Sequence, residues 1–378
     1  MEKRKQKIIV AMSGGVDSSV AAALLKRQGY EVIGVFMHFW AETRSDASID
    51  TRYHENRCCS LEAYSDARRV AGKLDIPFYT MNLKIPFKKW VVDYFLKEYQ
   101  AGRTPNPCVE CNRFIKFGEL LRKARAMGAD FVATGHYARV VEDKRPSLDS
   151  PSRRGGQKIK DKRIYRLLKG KDKKKDQSYF LYTLMQEQLK HILFPVGSYT
   201  KPQVRKMAKK FGLPVHAKKD SQEICFVGAR LQEFLKKWLE IKSGKLVELE
   251  TGKVLGKHGG LPFYTIGQRK GLGLGGGPFY VAAINVRNNK LYVSRDPKKL
   301  FSRELIAEKV NWIIGREPKL PVHLKARIRY KHKEESCIVK REKNVYKVIF
   351  DKSQRAITPG QSVVFYRGDE AVGGGIIE

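Results

Sequence analysis

Apolar and polar positions change period several times along the chain, and the changes mark the elements. Ile8 to Met12 is a β-branched apolar run; from about Ser18 to Gln28 apolar residues recur at helical spacing and stop at Gly29; Glu31 to Phe39 is a second strand-like run. The same reading predicts helices at Leu61 to Leu74, Pro86 to Gln100 and Arg113 to Met127, with strands at Pro77 to Leu83 and Phe131 to Thr134. This alternation predicts an α/β fold with a mostly parallel, Rossmann-like sheet and helices on both faces. Ligands of such sheets bind beyond the carboxyl ends of the strands, here the loops after Met12, Phe39 and Thr134.

Farther on, helical patterns are read at Ser178 to Lys190 and at Lys201 to Phe211, the second with Pro202 in its first turn. After Gly212 the character changes. From Leu246 onward short alternating runs are separated by turn residues: Tyr280 to Val286, the Asn288-Asn289 turn, Lys290 to Ser294, Leu324 to Tyr330, Cys337 to Lys340, Val345 to Phe350 and Ser362 to Tyr366. A small central domain followed by a C-terminal β-barrel is the economical account. The expected boundaries are 1–205 for the first domain, 206–295 for the central one and 296–378 for the barrel.

Charge then narrows the function. Among 378 residues, 75 Lys and Arg stand against 39 Asp and Glu, a net charge of +36, and self-repulsion on that scale points to a polyanionic partner, nucleic acid first. The stretch from Glu142 to Asp176 concentrates 14 basic and 6 acidic residues around Ser-Pro-Ser and Gly-Gly breaks, and is expected to be a solvated, mobile insertion. No apolar run reaches the roughly 18 residues of a membrane span, and the basic start leads straight into the first strand, so a soluble cytoplasmic protein without a membrane partner is expected.

Three features carry chemistry. Ser13-Gly14-Gly15-Val16-Asp17-Ser18 follows the first strand and opens the first helix, so backbone amides and the helix N-terminus can close on a phosphate. Without the Gly-Lys-Ser/Thr end of a Walker A loop it resembles the PP-loop of N-type ATP pyrophosphatases, and Asp17 suits a magnesium contact. Gly271 to Gly277 looks like a dinucleotide fingerprint, but no clear strand precedes it and Pro278 follows, so a loop is expected. Cys108 and Cys111, in Arg103-Thr-Pro-Asn-Pro-Cys108-Val-Glu-Cys111-Asn, are expected on a Pro-rigid loop before the helix at Arg113, where basic neighbours favour a thiolate. Cys225 is the third candidate thiol; Cys58, Cys59 and Cys337 are taken as structural.

Together these motifs resemble the tRNA-specific 2-thiouridylases of the MnmA/TrmU type, and the resemblance spans almost the whole chain. It includes Ala133-Thr-Gly-His-Tyr137, Lys175-Asp-Gln-Ser-Tyr-Phe-Leu181, Lys219 to Phe226, Gly267-Gln-Arg-Lys-Gly-Leu-Gly273, Pro359-Gly-Gln-Ser362 and Gly373-Gly-Gly-Ile-Ile-Glu378. It implies ATP phosphates on Ala11, Met12, Ser13, Gly14, Gly15, Val16, Asp17 and Ser18, the adenine near Met37, and a further nucleotide contact at Gly135. It implies target-base contacts at Asn106, Pro107 and Cys108, and further tRNA contacts at His136, Lys175, Asp176, Gln177, Arg329, Tyr330 and Gln361. Cys111 would be the nucleophile or thiol partner and Cys225 the persulfide carrier, the two able to form a disulfide between turnovers.

The implied reaction suits the residues. A uracil 2-carbonyl is a poor electrophile, so adenylation of its oxygen makes a leaving group that sulfur can displace, with AMP and pyrophosphate released. The wobble uridine of the anticodon loop is cheap to extrude. ATP and Mg2+ are the implied cofactors, and a persulfide-bearing protein or inorganic sulfide the donor. One departure matters: a branch of the family has Asp at the place of Cys108, which leaves the general base unassigned here. Cys108, Cys111 and Cys225 are therefore compatible with a persulfide relay, with a [4Fe-4S] cluster that holds a sulfide on an open iron, or with a structural zinc or disulfide. Another PP-loop ligase, or an RNA-binding protein with a vestigial nucleotide site, is the competing class.

Overall fold

The computed structural model describes residues 4–40, 60–143, 163–219, 224–227 and 230–378. Cys58, Cys59, residues 144–162 of the basic insertion and residues 220–223 lie outside the described residues. Strands β1 (Lys7–Ala11), β2 (Glu31–His38), β3 (Phe78–Asn82) and β4 (Phe131–Ala133) are followed by a hairpin, β5 (Ala138–Asp143) and β6 (Ile164–Lys169), and by β7 (Ile192–Leu193). Five of them form a parallel sheet in the order β3-β2-β1-β4-β7.

Both faces of this sheet are buried, which is why β1 reads as a continuous apolar run rather than an alternating one. Ile8, Val10 and Met12 face α1 (Val16–Arg27) and α2 (Leu61–Lys73), while Ile9 and Ala11 face the opposite cluster. Ser60 caps α2 by accepting from the Ala63 amide. The opposite cluster lies under two long helices. One joins α3 (Lys84–Phe87) to α4 (Asp93–Gln100), the other α5 (Pro107–Glu110) to α6 (Leu120–Ala126), each through a π-helical segment. After the one-turn α7 (Gln186–Leu189), α8 (Lys201–Lys210) returns to the α1 side, where Val204 and Ala208 join the first cluster with Leu213 and Val215; Phe234 and Leu235 of α9 (Leu231–Trp238) join the second.

A four-stranded sheet in the order β10-β11-β8-β9 follows, from β8 (Gly244–Glu248), β9 (Val254–His258), β10 (Tyr280–Asn285) and β11 (Lys290–Ser294). The Gly271–Gly277 segment enters β10 as a loop, with Leu272 buried in the apolar cluster and Leu274 packed against it. The C-terminal strands are β12 (Phe301–Trp312), β13 (Val322–Arg327), β14 (Glu335–Glu342), β15 (Val345–Arg355), β16 (Ser362–Arg367) and β17 (Glu370–Ile377). They pair antiparallel as β12-β15-β14-β13-β16-β17, and β12 meets β17 to close a six-stranded barrel. The β5–β6 hairpin adds to the outside of β17, so the first domain and the barrel share one hydrogen-bonded sheet.

Three local expectations are corrected. The helix expected from Arg113 starts at Pro107, because a proline is preorganised for a first helical turn; Cys108 and Cys111 therefore stand one turn apart on a helix, not on a loop. The helix expected over Ser178 to Lys190 is a 3-10 turn (Ser178–Phe180) and the single turn α7. There, tertiary contacts override propensity: Asp176 accepts from the Ser178 amide and hydroxyl, and the Tyr179 hydroxyl donates to the Ser362 carbonyl in the barrel. The basic insertion is narrower than 142–176, since Ile164 to Lys169 pairs in the hairpin and Asp176 is buried.

Strand β17 packs on β16 and Tyr182 through a close backbone approach at Gly374. A Cβ there would lie 2.6 Å from the Val363 carbonyl oxygen and 2.7 Å from the Tyr182 ring. Gly374→Ala is expected to cost about 1–3 kcal/mol through overpacking, read as a lower urea midpoint. An unchanged midpoint would show that the barrel yields at this position.

Candidate active site

The switch point of the parallel sheet lies between β1 and β4, and the loops that leave these two strands meet there. A Cβ on Gly135, just after β4, would lie 2.6 Å from the Ser18 amide, so only glycine lets this turn reach the start of α1. Gly14 (φ 70°) has the same role on the other side, where a Cβ would meet the Ala63 carbonyl oxygen of α2 at 2.2 Å. The loop is closed internally: the Ser13 amide donates to Ser18 Oγ (3.2 Å), and Ser18 Oγ and Ser19 Oγ donate to the Gly15 carbonyl (3.1 and 2.8 Å). Gly15 stands at the N-cap of α1 without a side-chain cap, which leaves the helix-end amides to an anion.

Asp17 points away from that internal network. Its Oδ1 accepts from the Tyr137 hydroxyl (2.7 Å), and Lys201 Nζ lies 2.8 Å from both of its oxygens. Among the described residues Oδ2 takes the lysine alone, which leaves a lone pair for a cation, so the residues fit the magnesium expected with ATP through this one carboxylate. Neither Tyr137 nor Lys201 was singled out from the sequence. Tyr137 sits two residues beyond Gly135, a proximity that could have flagged it; Lys201 lies 184 residues from Asp17 and gives no local signal.

Ala11, Met37, Cys111 and Cys225 belong to one apolar cluster on the face of the sheet opposite α1. Cys111 is buried in it and Cys225 is partly buried against it, while Cys108, a turn earlier, is exposed. The neighbour of Cys225 is the anchor: Phe226 packs edge-on against Phe87, Phe95 and Phe234, with centroids 5.7, 5.1 and 5.8 Å apart. Between the two helical thiols in sequence, Glu110 is buried and burial pushes its carboxyl up, a group the sequence reading passed over. Among the described residues no three His, Cys, Asp or Glu side chains converge as a metal-binding set, so Cys108, Cys111 and Cys225 do not form a cluster cage in this arrangement.

The segment before the thiols is held from three directions. Arg103 makes a two-pronged bond to Glu98 of α4 (2.6 and 2.5 Å); Thr104 Oγ1 meets Thr265 Oγ1 of the central domain (3.0 Å); the Thr104 amide donates to the Pro359 carbonyl of the barrel (2.9 Å). Gln361 Nε2 donates to the Thr104 carbonyl at 2.8 Å and to that of Pro105 at 3.3 Å. Asn106 follows half-buried and Pro107 buried.

The other residues expected at tRNA lie along the same seam, several of them engaged within the protein. Asp176 accepts from the Gly170 amide, Ser178 and Arg327; Gln177 Oε1 accepts from the Tyr137 amide; Arg329 donates to the Ile266 and Ala356 carbonyls and to Thr358; Tyr330 packs on Phe180 at 4.5 Å. Lys175 is half-buried beside Asp176. His136 Nδ1 lies 2.6 Å from Thr134 Oγ1, and burial, with help from Lys116, pushes its pKa well down, so the ring is neutral near pH 7.

Three family models cover the chain in order: a tRNA methyl transferase HUP domain over residues 6–229, a tRNA methyl transferase PRC-barrel domain over 232–295 and an aminomethyltransferase beta-barrel domain over 302–377. The tRNA-specific 2-thiouridylase MnmA of Clostridium botulinum is 49% identical over 385 residues, covering 100% of this chain and 99% of that protein. Those of Acetivibrio thermocellus and Carboxydothermus hydrogenoformans are 49% and 48% identical, each covering 99% of this chain and 99% and 98% of the relatives. With these full-length matches laid over a parallel sheet that carries a glycine phosphate loop, and over a helix that carries paired thiols, the chain belongs to the tRNA-specific 2-thiouridylase family.

Proposed function

We infer that the protein is a tRNA uridine 2-sulfurtransferase: it uses ATP to adenylate the C2 oxygen of the wobble uridine and replaces that oxygen with sulfur. The observation that carries this is a shared location. Ala11, which ends the strand before the phosphate loop, and Met37 share one apolar cluster with Cys111 and Cys225 on the sheet face opposite α1. A site that only hydrolysed ATP has no use for the thiols, and a site that only moved sulfur has no use for the loop.

In this reading Ala11 to Ser18 hold the phosphates and Met37 and Gly135 flank the adenosine. The uridine O2 attacks the α-phosphorus and pyrophosphate leaves, its charge met by the loop amides. Magnesium bound with ATP would be held through Asp17 and would supply further neutralisation of the phosphates. The sulfane sulfur of a Cys225 persulfide then attacks C2, AMP leaves with the oxygen, and Cys111 attacks Cys225 Sγ to release the thiocarbonyl. The two thiols end as a disulfide that an external thiol reductant resets, and a persulfide-bearing protein or sulfide with an oxidant reloads Cys225. Asn106, Pro107 and Cys108 at the start of the thiol helix face the target base. His136, Lys175 to Gln177, Arg329, Tyr330 and Gln361 shape the seam along which the anticodon loop lies. A cytoplasmic site of action goes with this substrate; among the described residues no helix is long and apolar enough to cross a membrane.

We favour the relay over a [4Fe-4S] cluster on Cys108, Cys111 and Cys225 because no three metal-binding side chains converge among the described residues. Cys225→Ser is expected to lower 2-thiouridine formation at least about 100-fold while tRNA-dependent pyrophosphate release persists for a single turnover. Normal thiolation by the folded variant would contradict the role of Cys225. Anaerobic protein assayed before and after iron removal is expected to thiolate equally; activity lost on removal and regained on reconstitution would place the three thiols around a cluster instead.

A further inference from the structure

Before magnesium is bound, Asp17 poses an electrostatic problem for the loop that carries it. An aspartate in the first turn of a helix is favourable for the helix itself, but at this place it sets a carboxylate within the same turn that is to receive a polyphosphate. Two like charges a few ångströms apart at a half-covered site repel by about 1–4 kcal/mol, enough to undo most of what the loop amides supply.

The structure places a fixed countercharge there. Lys201 Nζ lies 2.8 Å from both Asp17 oxygens, and its side chain is 11% exposed against 31% for the aspartate. The lysine is held to that position by several independent contacts. Its own amide donates to Asp172 Oδ2 (2.8 Å), Thr200 and Gln203 cap the helix that it opens, and Val204 and Ala208 lock that helix onto α1. Tyr137 completes the carboxylate's partners, and its own amide is fixed by Gln177.

We propose that Lys201 is a positioning residue for the ATP reaction: it neutralises Asp17 and so keeps the loop able to accept the pyrophosphate moiety of ATP. The inference rests on the reading of the loop given above and adds to it a specificity. Because the pair sits on the first turn of α1, its charge acts on the pyrophosphate end of the nucleotide and little on AMP. It also ties the loop to the segment 172–177, since Asp172 holds Lys201 and Gln177 holds Tyr137.

The test is calorimetric titration of the full-length protein with inorganic pyrophosphate and with AMP, both in chelator so that no divalent metal contributes. For Lys201→Met we expect pyrophosphate affinity to fall about tenfold or more, with AMP affinity changed less than about twofold, and Lys201→Arg to recover most of the loss. The deciding variant removes both charges. Lys201→Met combined with Asp17→Asn, in chelator where Asp17 has no metal to hold, is expected to regain most of the pyrophosphate affinity that Lys201→Met loses, a recovery that damage to packing would not give. Thermal melts establish that each variant is folded. Wild-type affinity in folded Lys201→Met, or a double variant as weak as the single one, overturns the proposal. Wild-type protein that takes up no pyrophosphate in chelator overturns this inference; protein that takes none up with magnesium restored overturns the reading of the loop as well.

Discussion

The arrangement of the site depends on how five residues, 102–106, are held. They lead into the helix that carries Cys108 and Cys111, and they contain too little apolar surface to fix their own course. Arg103 is gripped by Glu98 within the first domain, Thr104 by Thr265 from the central domain, and the Thr104 and Pro105 backbone by Pro359 and Gln361 from the barrel. Each bond is worth only about 1 kcal/mol net, but each unmade partner would leave a half-buried polar group unsatisfied. The segment that leads into the thiol helix is thus held by all three parts of the chain at once.

The barrel is accordingly more than an appended module. Its strand β17 continues into the β5–β6 hairpin of the first domain, and a cluster that includes Val109, Phe117, Tyr179, Tyr182, Ile313 and Val364 fills the space between them. A buried polar network runs through the same seam: Asp176 and Glu334 share Arg327, and Lys169 joins through Glu334. Such networks add little net stability compared with an apolar core of the same volume, yet breaking one partner is costly. Their effect here is to fix one relative placement of hairpin, 172–177 segment and barrel, and through Tyr137 and Lys201 that placement reaches Asp17 in the phosphate loop.

What the sequence made legible was local in origin. The strand, glycine loop and helix of residues 7–27 announce an anion site because each element is written in adjacent residues, and α2 runs over Leu61–Lys73 where its periodicity placed it. The partnership of Cys111 with Cys225 is implied by the family resemblance alone; in the fold both belong to one apolar cluster, where Phe226 packs on Phe87 and Phe95 from more than a hundred residues earlier in the chain. Lys201 was invisible because it looks like any first-turn lysine until the fold brings it to Asp17. The 178–190 stretch misled for the opposite reason: its side chains are spent on the barrel, and a helix would have pulled them away. Asp176, Gln177, Arg329 and Gln361 look in sequence like polar contacts for a partner, and in the fold they also bind the protein to itself.

The central claim is that ATP chemistry and sulfur chemistry are steps of one site. A single-turnover reaction tests it most directly: protein loaded with a persulfide on Cys225, ATP and unmodified tRNA are mixed, and AMP, 2-thiouridine and the cysteine-containing peptides are quantified by mass spectrometry. The account predicts one AMP for each 2-thiouridine and a Cys111–Cys225 disulfide formed in the same proportion. Thiolated tRNA without AMP, or with Cys111 and Cys225 still reduced, would contradict it.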